Sequence, residues 1–406
     1  MSTLKHRSFA WMVGGQFIST IGNNFYVLAI YWYVLKLTHS HVDVLLIGLA
    51  QTLPVVGSLV WGVWIDRWNK RTVMMVSDWA RFGVAGLLAA FTLGMARPPV
   101  IILFILVLVL RSLGTFFSPA ASSLMPQLIP PEKLNEASGM IHAFTGVASL
   151  VGVALGGVLM MWIGPPLLFA LDAMTFIVSV VSLLFVNPTA PAAPDPDSRE
   201  TFFQSWRIGF AMLWRSLWIR RLLFVAALLN LVLVPLEMIL PQWVHGPLHG
   251  NASMLGWLNA VFLLGYVGGA IAISWTQRWS SSVVLGLSMA GLGVLTAGFG
   301  QAVVVPWPYL VATSIGITMG IMESTVTGVM MRAIPEKYRG RIWSSFSGFV
   351  NLITPLGMVG TEWILASWGM PLLFGVIGIL AVVVSLSFLI PTPEPTPDAL
   401  ESQYAL

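Results

Sequence analysis

The stretch Gly62-Val63-Trp64-Ile65-Asp66-Arg67-Trp68-Asn69-Lys70-Arg71 sets four charged residues within six positions, between two long apolar segments. Asp, Glu, Lys and Arg make up only 9% of the 406 residues, against about 25% in an average soluble domain. A charge cluster this dense, in a turn this short, marks a loop held at a membrane surface, with a membrane-crossing helix on each side.

The rest of the chain agrees. It is 57% hydrophobic, with a mean hydropathy of +0.85. Apolar runs near twenty residues recur, each long enough to cross a hydrocarbon core of about 30 Å. Too few polar positions exist for a soluble chain to bury them all. There is no cysteine, which excludes disulfides, thiolate chemistry and a Cys-based metal site. The net charge of +4 is modest and uneven, and suits lipid headgroups rather than nucleic acid. The apolar segment after Lys5 and Arg7 is too long and too flecked with polar residues for a cleaved signal peptide, so it reads as the first span.

Twelve spans fit the apolar runs, at about 9–35, 43–65, 73–95, 99–121, 137–161, 165–187, 217–242, 252–275, 282–304, 307–331, 341–366 and 369–390. Pro and Gly punctuate their ends, as at Arg97-Pro-Pro and Gly369-Met-Pro. With the N-terminus inside, seventeen of the twenty Lys and Arg lie on the cytoplasmic side. Lys36 and Arg97 fall outside, and Arg111 falls within a span. Both termini are therefore expected in the cytoplasm, in a multi-pass protein of a bacterial inner membrane.

Residues 187–199, rich in Pro, Ala and Asp, read as a linker. Phe203, Trp206, Phe210 and Leu213 follow at helical spacing beside Arg207 and Arg215. They predict an amphipathic helix at the inner interface, or an extension of the seventh span. The expected organisation is a six-helix bundle over 1–187, a cytoplasmic linker over 188–216, a second six-helix bundle over 217–390 and a Pro-rich acidic tail over 391–406. The two bundles repeat. Ile129-Pro-Pro-Glu132-Lys133 is echoed by Ile334-Pro-Glu336-Lys337, and Pro166-Leu-Leu-Phe169 by Pro371-Leu-Leu-Phe374, at offsets of 204 and 205 residues. Two parallel repeats of six spans are the build of a transporter whose halves rock about a central site.

On these residues the chain resembles the major facilitator superfamily. Gly62-x3-Asp66-Arg67-x2-Lys70-Arg71 is similar to the loop that marks that superfamily between spans two and three. The resemblance is to the macrolide-efflux type of bacterial drug:proton antiporters. It rests on Ile21-Gly-Asn-Asn-Phe-Tyr-Val-Leu-Ala29, Gln51-Thr-Leu-Pro54, Ser77-Asp78-Trp-Ala-Arg81 and Phe169-Ala-Leu-Asp172-Ala-Met-Thr-Phe176. Gly152-Val-Ala-Leu-Gly156-Gly157 is similar to the antiporter motif, with Val153 where that motif has proline. The resemblance implies an all-α polytopic fold of two pseudo-symmetric six-helix bundles. It also implies that Asp66 and Arg67 latch the cytoplasmic side, with Asp78 and Arg81 as further members of that gate or as a simple intrahelical pair.

A charged side chain at the bilayer centre costs about 2.5–3.5 kcal/mol on insertion scales, so each one needs a partner, a wetted cavity or a function. Arg111 lies deep in span four, with Thr115 and Ser118 on its face. Glu323 lies in span ten, with Thr327 one turn on. Glu237 lies in span seven, with Asn230 two turns below. Gln16, Thr20 and Asn23 form a polar stripe on span one. The resemblance implies that spans one, four, seven and ten line the cavity, and these four stripes fall on them. The alternatives are interhelical hydrogen bonds and structural ion pairs. Asp172 and Glu362, toward the outer ends of spans six and eleven, read as wetted or capping residues. Tyr26, Tyr31, Trp32 and Tyr33 read as packing, or as the wall of a greasy cavity.

Burial disfavours a charged carboxylate, so one in such a cavity can hold a proton and release it when wetted. The expected function is export of amphipathic drugs or toxic small molecules by proton antiport through alternating access. The alternative is an exporter of one specific substrate, such as a lipid or a siderophore. No nucleophile-base constellation points to an enzyme, and no Gly-x4-Gly-Lys-Ser/Thr loop points to ATP as the driving force. No His pair has ligand spacing with a carboxylate, so neither a metal nor a cofactor is expected; the proton is the coupling ion. The expected partners are the substrate, protons and membrane lipid, around a monomer.

Overall fold

The structure, a computed structural model, describes residues 6–65, 68–130, 133–188, 210, 214, 217–233, 236–276, 278–301, 304–334 and 336–389. Among the described residues every regular element is a helix. Asp66 and Arg67, the centre of the opening loop, lie outside the described residues. So do the tail over 391–406 and all but Phe210 and Trp214 of the expected interfacial helix.

The chain divides into two compact units. One is Met1–Phe202 with Asn251–Gly256, and the other is Phe203–Gly250 with Trp257–Leu406. In the first, α1 (Arg7–Thr38), α2 (His41–Ile65), α3 (Lys70–Gly94) and α4 (Val100–Leu124) are followed by α5 (Leu134–Leu184). The second holds α6 (Leu217–Leu233), α7 (Leu236–His245), most of α8 (Ala252–Thr276), α9 (Ser281–Phe299), α10 (Trp307–Ala333), α11 (Glu336–Trp368) and α12 (Met370–Leu386). Seven of the described helices are long and apolar enough to cross a membrane. Over the expected span 217–242 the described residues are helical on both sides of positions 234–235, as α6 and α7. One sequence boundary shifts among the described residues. The expected span 282–304 closes at Phe299, where Gly298 and Gly300 sit among weak helix-forming positions.

Local chemistry sets several ends. The Asn69 side chain accepts the Thr72 N–H at 3.2 Å and starts α3; Ser280 does the same for Val283 at the start of α9. Arg71 sits in the first turn of α3 and reaches across to the end of α5. Its Nε donates to the Leu183 carbonyl at 2.8 Å and its Nη2 to the Leu184 carbonyl at 2.9 Å. The Leu183 carbonyl also accepts the Val186 N–H at 3.1 Å, and a cation on the last carbonyls suits both their hydrogen-bonding capacity and the helix dipole.

The repeat visible in the sequence has a backbone counterpart. Gly164 bends α5 with φ 77° and ψ 164°, and Gly369 opens α12 with φ 78° and ψ 175°. Only glycine adopts that region without strain. Each glycine stands two residues before a Pro-Leu-Leu-Phe segment, 205 residues apart.

Small residues set the helix packing. Gly15 and Gly22 of α1 lie against Ser182 and Thr175 of α5. Gly152 and Gly156, from the antiporter-like motif that ends at Gly157, face Ile21, Asn24 and Phe25 of α1. In the second unit Gly265 and Gly269 of α8 interlock with Gly316 and Gly320 of α10. A Cβ at any of the four would fall on a backbone carbonyl of the other helix. Lipid is as apolar as leucine, so close backbone approach of this kind is a main source of helix association in a membrane. Apolar clusters fill each unit: Phe9, Met12, Met74, Leu124 and Leu183 in the first, and Trp218, Leu222, Met289, Val329 and Phe346 in the second. Tyr26, Tyr31 and Trp32 are buried in the first unit's core.

Candidate functional site

In the interior of the first unit, four helices converge through polar side chains. Asn23 comes from α1, Asp78 and Arg81 from α3, Arg111 from α4 and Asp172 from the second half of α5. Asp78 and Asp172 are fully buried, and Arg81 is 7% exposed. Arg81 Nη1 lies 3.3 Å from Asp78 Oδ1, and its Nη2 donates to Asn23 Oδ1 at 2.7 Å. Its guanidinium carbon stands 4.0 Å from the centre of the Phe176 ring, a cation–π geometry. Arg111 is half-buried; its Nε donates to the Gln51 carbonyl at 3.4 Å. Neither oxygen of the Asp172 carboxyl has a hydrogen-bond partner. Gly22 lets α1 pass directly over that acid, since a Cβ there would lie 2.7 Å from Asp172 Oδ1.

The intrahelical Asp78–Arg81 pair expected from the sequence does form. It sits inside the bundle, however, and ties α3 to α1. A buried pair of this kind contributes little net stability, but removing one partner costs about 3–5 kcal/mol. The reading of Asp172 as a wetted or capping residue is overturned. It lies within a helix, under Gly22, with no exposure. Glu362 is likewise buried. Asn23 accepts from Arg81, while Gln16 and Thr20 are only partly buried. Thr115 donates to the Ser112 carbonyl on its own helix.

The second unit holds a cavity of about 330 Å³. Its wall is mainly apolar, with Leu240, Leu258, Phe262, Phe299, Met319 and Phe374. Its polar groups come from Glu237, Asn259, Tyr266 and Thr296. The Thr296 hydroxyl is buried without a hydrogen-bond partner. Tyr266 lines the cavity and donates a 2.6 Å hydrogen bond to Glu323 Oε2. Of the two carboxylate candidates, Glu237 lines the wall, while the exposed Glu323 does not and is linked to it only through Tyr266. Asn230 does not line the cavity; its amide donates to the Ala226 carbonyl one turn back at 3.1 Å. Arg111 belongs to the first unit and Glu323 to the second. Lys70 donates to the Trp68 carbonyl at 3.1 Å.

The sequence reading missed Tyr266, Asn259 and Thr296. A signal for Tyr266 was present: Gly265-x3-Gly269 and Gly316-x3-Gly320 are the small-residue spacing that brings two helices together. Glu323 and Tyr266 flank that seam.

Among the described residues every regular element is a helix, and seven are long and apolar enough to cross a membrane, as in a multi-pass membrane protein. The chain belongs to the Major Facilitator Superfamily, whose family profile matches residues 12–249 and 236–403. It is similar to the multidrug efflux pump Tap of Mycolicibacterium fortuitum, at 24% identity over 83% of this chain and 84% of the pump. Macrolide efflux protein A of Streptococcus pyogenes is 22% identical, over 85% of this chain and 86% of that protein. The fold is also that of the xylose transporter XylE from E. coli, with a TM-score of 0.71 and 12% identity over 98% of both chains.

Proposed function

We propose that this transporter exports amphipathic small molecules by proton antiport, with its cavity opening alternately to the two membrane faces. The observation that carries this reading is the second unit's cavity. Its volume and mainly apolar, aromatic wall suit a drug-sized amphipath, with a few polar groups to orient it. Glu237 stands on that wall, and Glu323 stands behind Tyr266. A proton and a cationic or hydrogen-bonding substrate compete for such carboxylates, so release of one favours uptake of the other. Similarity to proteins named as multidrug and macrolide efflux pumps supports the outward direction. In this reading Asp66 and Arg67 latch the cytoplasmic side, both termini are cytoplasmic and the working unit is a monomer in lipid.

The test is Glu323→Gln in a host stripped of its own pumps. Resistance to a panel of cationic dyes and macrolides should fall to that of the empty host, at unchanged protein abundance. Unchanged resistance would remove Glu323 from the mechanism. In proteoliposomes, dye transport indifferent to an imposed pH gradient would remove the proton. Transport of a single compound out of the whole panel would favour the one-substrate exporter.

A further inference from the structure

We propose that Asp172 is a proton-binding site in the first unit, switched by the carboxylate that Arg81 chooses. It is protonated while Asp78 and Asn23 hold Arg81, and ionised when Arg81 turns to it.

The argument starts from what surrounds the acid. Asp172 is fully buried, and neither of its carboxyl oxygens has a hydrogen-bond partner. The nearest hydroxyl on its own helix, Thr175, is committed elsewhere: it donates to the Asp172 backbone carbonyl at 2.7 Å. A fully buried ionised carboxylate with two bare oxygens is among the costliest arrangements in a protein interior. The neutral acid removes most of that cost.

The facing groups show why the state is poised rather than fixed. From α1 comes Tyr26, whose buried hydroxyl also lacks a partner. From α3 come Asp78 and Arg81, and from α4 comes Arg111. Both arginines belong to the same cluster of side chains, yet neither donates to Asp172. Arg81 is already committed, to Asp78 at 3.3 Å and Asn23 at 2.7 Å. Were it to turn to Asp172, the proton would pass from the carboxyl oxygen to water, and the new carboxylate would gain a donor. Only the carboxyl O–H bond breaks. The four charged groups go from a net single positive charge to none.

Partner exchange by Arg81 also moves helices. Its present hydrogen bond to Asn23 ties α3 to α1 and its contact with the Phe176 ring already touches α5, where Asp172 would give it a hydrogen bond as well. Proton loss at Asp172 would therefore loosen α1 from α3 and tighten α3 on α5. That this proton drives transport rests on the antiport reading; that the carboxyl titrates does not.

The experiment is difference infrared spectroscopy of the purified full-length protein across a pH titration, paired with dye transport in proteoliposomes. We expect a protonated-carboxyl band in the wild type and in Glu323→Gln. It should be absent in Asp172→Asn and present but displaced in Asp172→Glu. An identical band in Asp172→Asn overturns the proposal. Where Asp172→Asn fails to fold, Asn23→Ala keeps both acids and frees one hydrogen bond of Arg81. It should move the midpoint of the band by about one pH unit; an unmoved midpoint overturns the proposal. In transport, Asp172→Asn should lose at least about tenfold of its response to an imposed pH gradient while still binding dye. A full response overturns the coupling role. A wild type that shows the band but ignores the gradient sinks the antiport reading and leaves the site standing.

Discussion

Tyr266 donates a 2.6 Å hydrogen bond to Glu323, joining α8 to α10 at the edge of the second unit's cavity. A side-chain hydrogen bond contributes about 0.5–1.5 kcal/mol net. If the two side chains act as one unit, their substitutions will not add. Tyr266→Phe should slow dye transport about tenfold, and Glu323→Gln should abolish its proton dependence. The double variant should be no worse than Glu323→Gln alone. Additive losses in proteoliposome transport rates would show that the two act separately.

That hydrogen bond depends on how closely the helices approach. Gly320 and Gly269 leave no room for a Cβ: each would fall on the backbone carbonyl of Tyr266 or Ile317. Backbone cannot step aside as a flexible side chain can. Gly320→Ala should therefore lower the melting temperature in detergent and reduce transport together. Gly268→Ala serves as the control, since nothing lies within 4 Å of a Cβ there. Equal behaviour of the two variants would mean that the seam is not tight.

Much of this was legible in the sequence, for reasons that differ by residue. The spanning helices follow from runs of apolar residues, because lipid forces the backbone to satisfy itself within each helix. The repeat was visible in Pro166-Leu-Leu-Phe169 and Pro371-Leu-Leu-Phe374, and Gly164 and Gly369 share a backbone conformation because the same bend precedes both. The Asp78–Arg81 pair was visible because its partners are three apart on one helix. Asp172 was misjudged because its surroundings come from three other helices. Distance along its own helix says nothing about Gly22 passing over it. Tyr266 was missed because a tyrosine in an apolar run looks like packing until its partner helix is known.

Arg71 offers a test of local stability separate from transport. It closes the last carbonyls of α5 from the first turn of α3, 112 and 113 residues away in sequence. Arg71→Ala leaves the Leu184 carbonyl to find another donor and the Leu183 carbonyl with only its backbone donors, at a cost of about 1–2 kcal/mol. It should lower the melting temperature by a few degrees (roughly 2–4 °C for a chain of this size or less). Arg71→Lys, which keeps the charge without the fork, should recover only part of the loss. A melting temperature unchanged in Arg71→Ala would show that water serves those carbonyls equally well.

Substrate choice should respond to the cavity wall rather than to the carboxylates. Phe262, Phe299 and Phe374 supply its aromatic surface, while Thr296 holds a buried hydroxyl with no partner. That hydroxyl is available to a substrate's polar group, and burying it unmet costs about 1–3 kcal/mol. Thr296→Val removes the hydroxyl at nearly constant volume. Export of purely apolar dyes should hold or improve, and export of compounds that hydrogen-bond there should fall about tenfold. Phe262→Ala should instead widen the cavity and relax selection by size. The measurement is a resistance profile across dyes and macrolides of graded size and polarity, each normalised to protein abundance. Should both variants scale every compound by one common factor, recognition would lie elsewhere and this cavity would be packing space. A change in rank order along the polarity axis for Thr296→Val, and along the size axis for Phe262→Ala, would place the substrate against this wall.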